Sequence, residues 1–362
     1  MLAGRENSNI SKFKMLMEMW HSGREAAQAV HAAIRTPNSI DNLCVILILE
    51  SIMGSPKLNI QDGADETATS TQIIVLGEVL WDLLPNHTSL GGAPLNFAVH
   101  AGRLGYEPLL ISAVGTDPLG RQAACVVQEL GLSTNMLQNT DRWPTGTASV
   151  ELDRQGQPTF TIRRPAAYDA VRLSDADVRR LTAVRPSWFY YGTLFPSTAE
   201  GKDTLLRLLD ALPAATRFYD VNLRPGFDSP DLVAELLARA AVVKMNDSEM
   251  SAIAKSGGLP SGLEEFCKAA VHRYGWRAVC VTLGERGCAV LADHEYIMAE
   301  GCPVDVADSV GAGDAFAAGF MHGLTQGWPV DRVAAFANRV GSLVASRSGA
   351  TPYWSISEMA EI

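Results

Sequence analysis

Asp314 is the residue on which chemistry can be built. It closes the stretch Asp308-Ser-Val-Gly-Ala-Gly-Asp314, and an apolar run, Ala315-Phe-Ala-Ala-Gly-Phe320, follows it. The pattern predicts a glycine turn that opens a helix, with a carboxylate in the first helical turn. Gly311 and Gly313 lack Cβ atoms, so the backbone can turn tightly and approach a ligand closely. Free N–H groups at the helix start, backed by the positive end of the helix dipole, form a ready anion site. Asp314 adds a general base for an incoming hydroxyl. Anion hole plus base is the equipment for phosphoryl transfer to an alcohol. The blander alternative is a glycine-rich helix start capped by an aspartate.

Other nucleotide and hydrolase signals are absent. The chain has no G-x-x-x-x-G-K-[ST], so it carries no Walker-type phosphate loop. The G-x-G lacks a third glycine and lies near the C-terminus, which argues against a dinucleotide fingerprint. Neither H-E-x-x-H nor G-x-S-x-G occurs.

The elements that must position Asp314 follow an alternating rhythm from Gln72 onward. Strands are predicted at Ile73–Leu76, Leu109–Val114, Trp188–Tyr191, Arg217–Val221, Ala241–Met245 and Ala278–Leu283, with helices between them. The helix over Pro94–Leu104 stops at Gly105, and Asp117-Pro118 opens another that ends before Gly131. Such alternation implies an α/β fold with a mostly parallel sheet covered on both faces. Two stretches break it. Thr147–Asp153 and Thr159–Arg164 form a predicted hairpin around residues 154–157, and Cys288–Asp293 and Tyr296–Glu300 form another around His294-Glu295. The first has no covering helix, so it is expected to project as a small lid, which would exclude water from a transferring phosphoryl group.

Residues 1–70 lack this rhythm and form a separate N-terminal extension. It holds an amphipathic segment at Phe13–Ile34, a short apolar stretch at Val45–Met53 and a small-residue polar linker from Gln61 to Ser70. The extension is expected to be flexible or partly helical. It reads either as a regulatory arm or as translation from an upstream start without a role, and the second is preferred.

With 362 residues and 47% hydrophobic composition, the chain can bury a large core. A formal charge of −10 argues against a nucleic-acid or anionic-membrane surface. Six scattered cysteines without C-x-x-C spacing read as reduced thiols of a cytoplasmic protein. No signal peptide is evident, and Cys44–Leu49 is too short to span a membrane.

Further motifs carry a resemblance. From about Gln72 to Trp354 the chain resembles the ribokinase/PfkB family of sugar kinases, and within it the bacterial fructokinases. Asp308–Asp314 is similar to the family's D-T-x-G-A-G-D signature, with serine in place of threonine. The resemblance implies that Asp314 deprotonates the acceptor, while Gly311, Ala312 and Gly313 offer amides to the migrating phosphoryl group. It also implies a monovalent-cation loop near Asp308, the Val310 carbonyl and the Ser346–Gly349 turn, with K⁺ as the candidate ion. Leu90-Gly-Gly-Ala-Pro-Leu-Asn96 is similar to the first signature, where Gly91, Gly92 and Asn96 would meet the sugar. Asp82, expected just after the first strand, would hold two adjacent hydroxyls. Asp220-Val-Asn222-Leu-Arg224 resembles the D-x-N-x-R element, and its Arg224 could fork onto a phosphate or sugar oxygen. One arginine of Arg163-Arg164, with Arg163 taken as the candidate, is expected to face the cleft.

On the nucleotide side, Asn246-Asp-Ser-Glu249 matches the N-x-x-E element. Glu249 would hold Mg²⁺ through water and Asn246 would orient that shell, although Asn-x-x-Glu is also a helix capping box. Thr282, Gly284 and Gly287 resemble the nucleotide-phosphate loop, and Asn338 stands where the family contacts adenine. The implied fold is ribokinase-like, a three-layer α/β/α domain over residues 71–356 with lid strands around 145–168. The implied activity is ATP-dependent phosphorylation of a sugar, with D-fructose favoured, and a homodimer could form through the lid. Kinases for 2-keto-3-deoxygluconate, ribose or a nucleoside are same-fold rivals, and a non-catalytic sugar sensor is a rival of another class.

Overall fold

The computed structural model describes residues 71–83, 88–152 and 158–360. The readings made for residues 1–70, and the turn of the lid hairpin at 153–157, lie outside these. A nine-stranded sheet forms the centre, with strands in the order β13-β12-β11-β10-β9-β8-β1-β4-β5. Seven of them run parallel: β1 (Gln72–Leu76), β4 (Glu107–Gly115), β5 (Leu137–Thr140), β8 (Trp188–Gly192), β9 (Thr216–Asp220), β10 (Val242–Asn246) and β11 (Ala278–Thr282). The hairpin β12 (Cys288–Ala292) and β13 (Glu295–Ala299) continues the sheet antiparallel. Its turn is Asp293-His294, both at positive φ (49° and 67°), one residue earlier than expected. That conformation matches the right-handed strand twist.

Strand alternation separates the two helical layers. Ile73 and Val75 join the core made with α1 (Ala93–Arg103), α8 (Ala312–Thr325) and α9 (Val330–Ala345). Ile74 and Leu76 face the opposite core, packed by α4 (Ala199–Ala211), α5 (Pro230–Arg239), α6 (Asp247–Gly257) and α7 (Leu263–Tyr274). β1 is buried on both faces, which is why its sequence is continuously apolar. Strand order reverses at β1, which lies between β4 and β8; such a switch point opens a crevice at the strands' C-terminal ends.

A second sheet sits beside that end, with four strands in the order β3-β2-β6-β7. The sequence predicts only β6 (Gly146–Leu152) and β7 (Pro158–Arg163). Its other half comes from β2 (Leu80–Leu83) and β3 (Thr88–Gly91), which leave β1 directly. These are too short for alternation to register against the glycines and polar residues around them. Among the described residues, no helix is long and apolar enough to cross a membrane.

Candidate active site

Asp314 stands in the first turn of α8, whose N-cap is Gly311 at φ 78°. A Cβ on Gly311 would lie 2.3 Å from the Ala350 carbonyl oxygen, so only glycine fits both the conformation and the close approach. Ala350 is held from behind: His100 Nε2 bonds its carbonyl at 3.0 Å, while Trp354 Nε1 donates to His100 Nδ1 at 3.0 Å. Burial pushes the His100 pKa down to about 3, so the ring stays neutral and donates from Nε2.

The first glycine motif meets the second here. Gly92, at φ 113°, caps α1, and a Cβ on it would lie 2.5 Å from the Glu78 carbonyl oxygen. One turn into α1, Asn96 Nδ2 donates to Asp314 Oδ2 at 2.8 Å. Asn96 Oδ1 is buried without a hydrogen-bond partner, an orphan acceptor that a ligand hydroxyl would satisfy. Asp82 follows β1 as expected and lies within lid strand β2, opposite Ser89 and Ala148. A Cβ on Gly91 would come within 2.5 Å of its Oδ2, so the carboxylate lies against bare backbone.

Burial shapes the electrostatics. Desolvation raises Asp314 to about 7, with Asp220 adding repulsion, against the pull of Lys244, the Asn96 bond and Arg224. Desolvation also raises Glu78 to about 7 and Asp82 to about 6, and Arg224 opposes both. Arg224 is therefore the cation shared by three carboxyls. It follows Asn222, whose φ of 42° turns the chain sharply after β9. Of the two lid arginines, Arg163 is exposed, whereas Arg164 is turned inward. Arg164 is paired with Asp169, bonded to the Leu194 carbonyl at 2.8 Å, and stacked over Tyr168 and Phe227.

Asn246, Glu249, Thr282 and the glycines after it line the ends of β10 and β11. Asn246 and Glu249 form a reciprocal capping box on α6, with bonds of 2.8 and 2.9 Å. Glu249 Oε1 also accepts from Leu223 N at 2.9 Å, linking α6 to the loop that carries Arg224. Thr282 ends β11, and Gly284 and Gly287 bracket the short turn Gly284–Arg286. Asn338 is buried on α9, where Nδ2 donates to the Glu300 carbonyl at 3.0 Å and thereby ties α9 to the end of β13. Asp308 accepts from Val310 N at 3.0 Å and from Gly349 N at 3.1 Å, joining the turn before α8 to the turn after α9.

A family profile for pfkB family carbohydrate kinases matches residues 72–356. The chain belongs to this family. A fructokinase of Salmonella typhimurium is 31% identical over 300 residues, covering 78% of this chain and 95% of its own. A Xylella fastidiosa fructokinase solved with bound ATP superposes with a TM-score of 0.72 at 24% identity, covering 81% of this chain and 98% of its own. A Vibrio cholerae fructokinase solved with fructose, ADP and a calcium ion superposes at 0.68 with 22% identity, over 81% and 98%. This pfkB kinase is thus a phosphotransferase that acts on a sugar hydroxyl, with the ribokinase-like three-layer fold.

Three residues near the candidate site were not singled out from the sequence. Glu78 stands beside the expected Asp82 but is the more deeply buried of the two. Arg164 and Arg163 are indistinguishable by type. Lys244 sits in the apolar strand β10 and bonds Asp220 at 3.1 Å. A lone lysine in a buried strand was the available signal, since burying an ammonium demands a partner.

Proposed function

We propose that this kinase transfers the γ-phosphoryl group of ATP to a hydroxyl of D-fructose. The contact between Asn96 and Asp314 carries the reading, because it joins the sugar-type glycine motif to the anion hole and base. The similarity to fructokinases supports the choice of sugar. In this reading Asp82, Gly91, Gly92, Asn96 and Arg224 hold the sugar. Arg164, whose guanidinium is already engaged, braces the lid there, and the exposed Arg163 is left outside the sugar pocket. Asp314, whose pKa burial raises to about 7, takes the proton of the attacking hydroxyl, a step worth about 10²–10⁴-fold. The amides of Gly311, Ala312 and Gly313 receive the charge that spreads over the migrating group.

The nucleotide lies along Asn246, Thr282, Gly284 and Gly287. Asn338, its amide already bonded to backbone, closes that wall rather than standing free. Each Glu249 oxygen accepts one backbone N–H and keeps further lone-pair capacity, which fits a hydrated Mg²⁺ held through water. Such an ion supplies charge neutralisation at the phosphates. Asp308, Val310 and Gly349 form a connected loop suited to K⁺.

Among the described residues the lid sheet ends in the unpaired edges of β3 and β7, which supports pairing of lids in a homodimer. Cys125, Cys267, Cys280, Cys288 and Cys302 are free thiols, in keeping with a cytoplasmic location. The test is ADP release with Mg²⁺ and K⁺ against fructose, ribose, 2-keto-3-deoxygluconate, glucose and adenosine, with Asp314→Asn alongside. Turnover with fructose that the variant loses is expected. Preference for another sugar would overturn the substrate, and saturable sugar binding without ADP release would overturn the kinase reading of Asp314.

A further inference from the structure

Lys244 lies on β10 beneath the start of α8, and the proposed transfer leaves it without a part. Its ammonium bonds both oxygens of Asp220, at 3.1 and 3.4 Å. The Tyr190 hydroxyl donates to Asp220 Oδ2 at 3.0 Å, and the Tyr190 ring stacks on Phe97, the neighbour of Asn96, at 3.8 Å between centroids. Asp220 is 0% exposed and Lys244 8%. A Cβ placed on Gly313 would stand 3.4 Å from Lys244 Nζ, so the ammonium lies directly under a peptide of the anion hole. Buried ion pairs are weak devices for stability, since desolvation of both partners offsets their attraction. Location, rather than stability, is what this pair needs explained.

We propose that Lys244 is a positioning residue for phosphoryl transfer: anchored by Asp220, its charge stands under Gly313 and offsets the carboxylates gathered around Asp314. The inference rests on Asp314 being the base. Asp314 is faced by the acidic groups Asp220 and Glu78, by the hydroxyl of Tyr190, and by the cations Lys244 and Arg224. Lys244 in turn faces Glu249 and the Cys280 thiol. Burial opposes its charge, but Asp220, Glu249 and Asp314 hold it protonated above the ordinary lysine range. Without that cation, Asp220 would act on Asp314 uncompensated.

The test is a carbon-13 NMR titration of the Asp314 carboxyl in the full chain, assigned by loss of its signal in Asp314→Asn. In Lys244→Met the midpoint is expected to rise by about one pH unit or more. In the double variant Lys244→Met/Asp220→Asn it should return to the wild-type value or below, because both neighbouring charges are gone. An unchanged midpoint in Lys244→Met overturns the proposal, as does a raised midpoint in the double variant. Should Lys244→Met fail to fold, the double variant decides by the same criterion. A packing role would lower the yield of folded protein and move no midpoint. The acid limb of kcat should follow the titration, with KM for sugar little changed. A wild type whose Asp314 titrates but which never turns over would count against Asp314 as base and leave the Lys244 effect readable.

Discussion

Asn96 and Asp314, 218 residues apart in the chain, meet through one hydrogen bond of 2.8 Å. Each stands near the N-terminus of its own helix, and each helix is opened by a glycine at positive φ, Gly92 and Gly311. Two helix starts therefore converge on one point. A hydroxyl bound at the orphan Asn96 Oδ1 would lie next to the Asp314 carboxyl, the base of the proposed transfer.

Asn96→Ala removes a bond to a charged group and the orphan acceptor together. Hydrogen bonds to charged groups contribute about 1.5–3 kcal/mol, so kcat/KM for the sugar should fall by roughly 10- to 150-fold. Steady-state kinetics at saturating ATP reads this directly. An unchanged kcat/KM would mean that the contact serves packing alone.

Activity and stability should respond to pH in opposite directions. As the proposed base, Asp314 would have to be ionised to act, so kcat/KM should fall as pH drops through about 7. The folded pKa values of Glu78 (about 7), Asp82 (about 6) and Asp314 lie above those of ordinary carboxyls. The folded state then binds more protons than the unfolded one between about pH 4 and 7. The contribution of these groups to stability is therefore present at low pH and lost as pH rises through the folded values. Thermal unfolding between pH 5 and 8 should show it, and Glu78→Gln with Asp314→Asn should flatten the dependence. A wild-type slope of the opposite sign, unchanged in the double variant, would contradict an origin in these carboxyls.

Gly311→Ala should disable the site at modest cost to the fold. The added Cβ would sit 2.3 Å from the Ala350 oxygen in a backbone conformation of φ 78°. Strain of this kind costs roughly 1–3 kcal/mol. Displacing the anion hole by about 1 Å should lower kcat by on the order of 10²-fold. Comparing kcat with the unfolding midpoint separates the two effects; equal losses at Gly327→Ala, a distant helix-end glycine, would remove the special status of Gly311.

Asp169→Asn should be costly for stability. Its carboxylate pairs with Arg164, and the two side chains are 6% and 8% exposed. Leaving the guanidinium buried and unpaired costs about 3–5 kcal/mol. Denaturant unfolding measures this. Arg164→Met together with Asp169→Asn should recover much of the loss, and no recovery would indicate that the cation–aromatic contacts with Tyr168 and Phe227 matter more than the pair.

Much of this architecture is decided locally and so was readable in the sequence. Gly311 and Gly313 before an apolar run dictate a helix start with open amides, and Asp314 within its first turn follows from spacing alone. The buried strands around Ile73 and Val279 declare themselves by unbroken apolar runs, and that around Val243 by an apolar run broken only by Lys244. Tertiary structure decided what depends on distance between segments. The capping box of Asn246 and Glu249 is local, but the further bond that Glu249 accepts from the Leu223 amide arrives from another loop. That Arg164 is turned inward while Arg163 is exposed rests on Asp169 and the Leu194 carbonyl, and alternation along a lid strand cannot reveal either partner. Asp82 belongs to a strand because β6 lies beside it, and Lys244 lies between Asp220 and Gly313 only because folding brings those segments to its ammonium. Local sequence sets backbone conformation through sterics and periodicity; charge, burial and pairing arise only when distant segments share a space from which water is excluded.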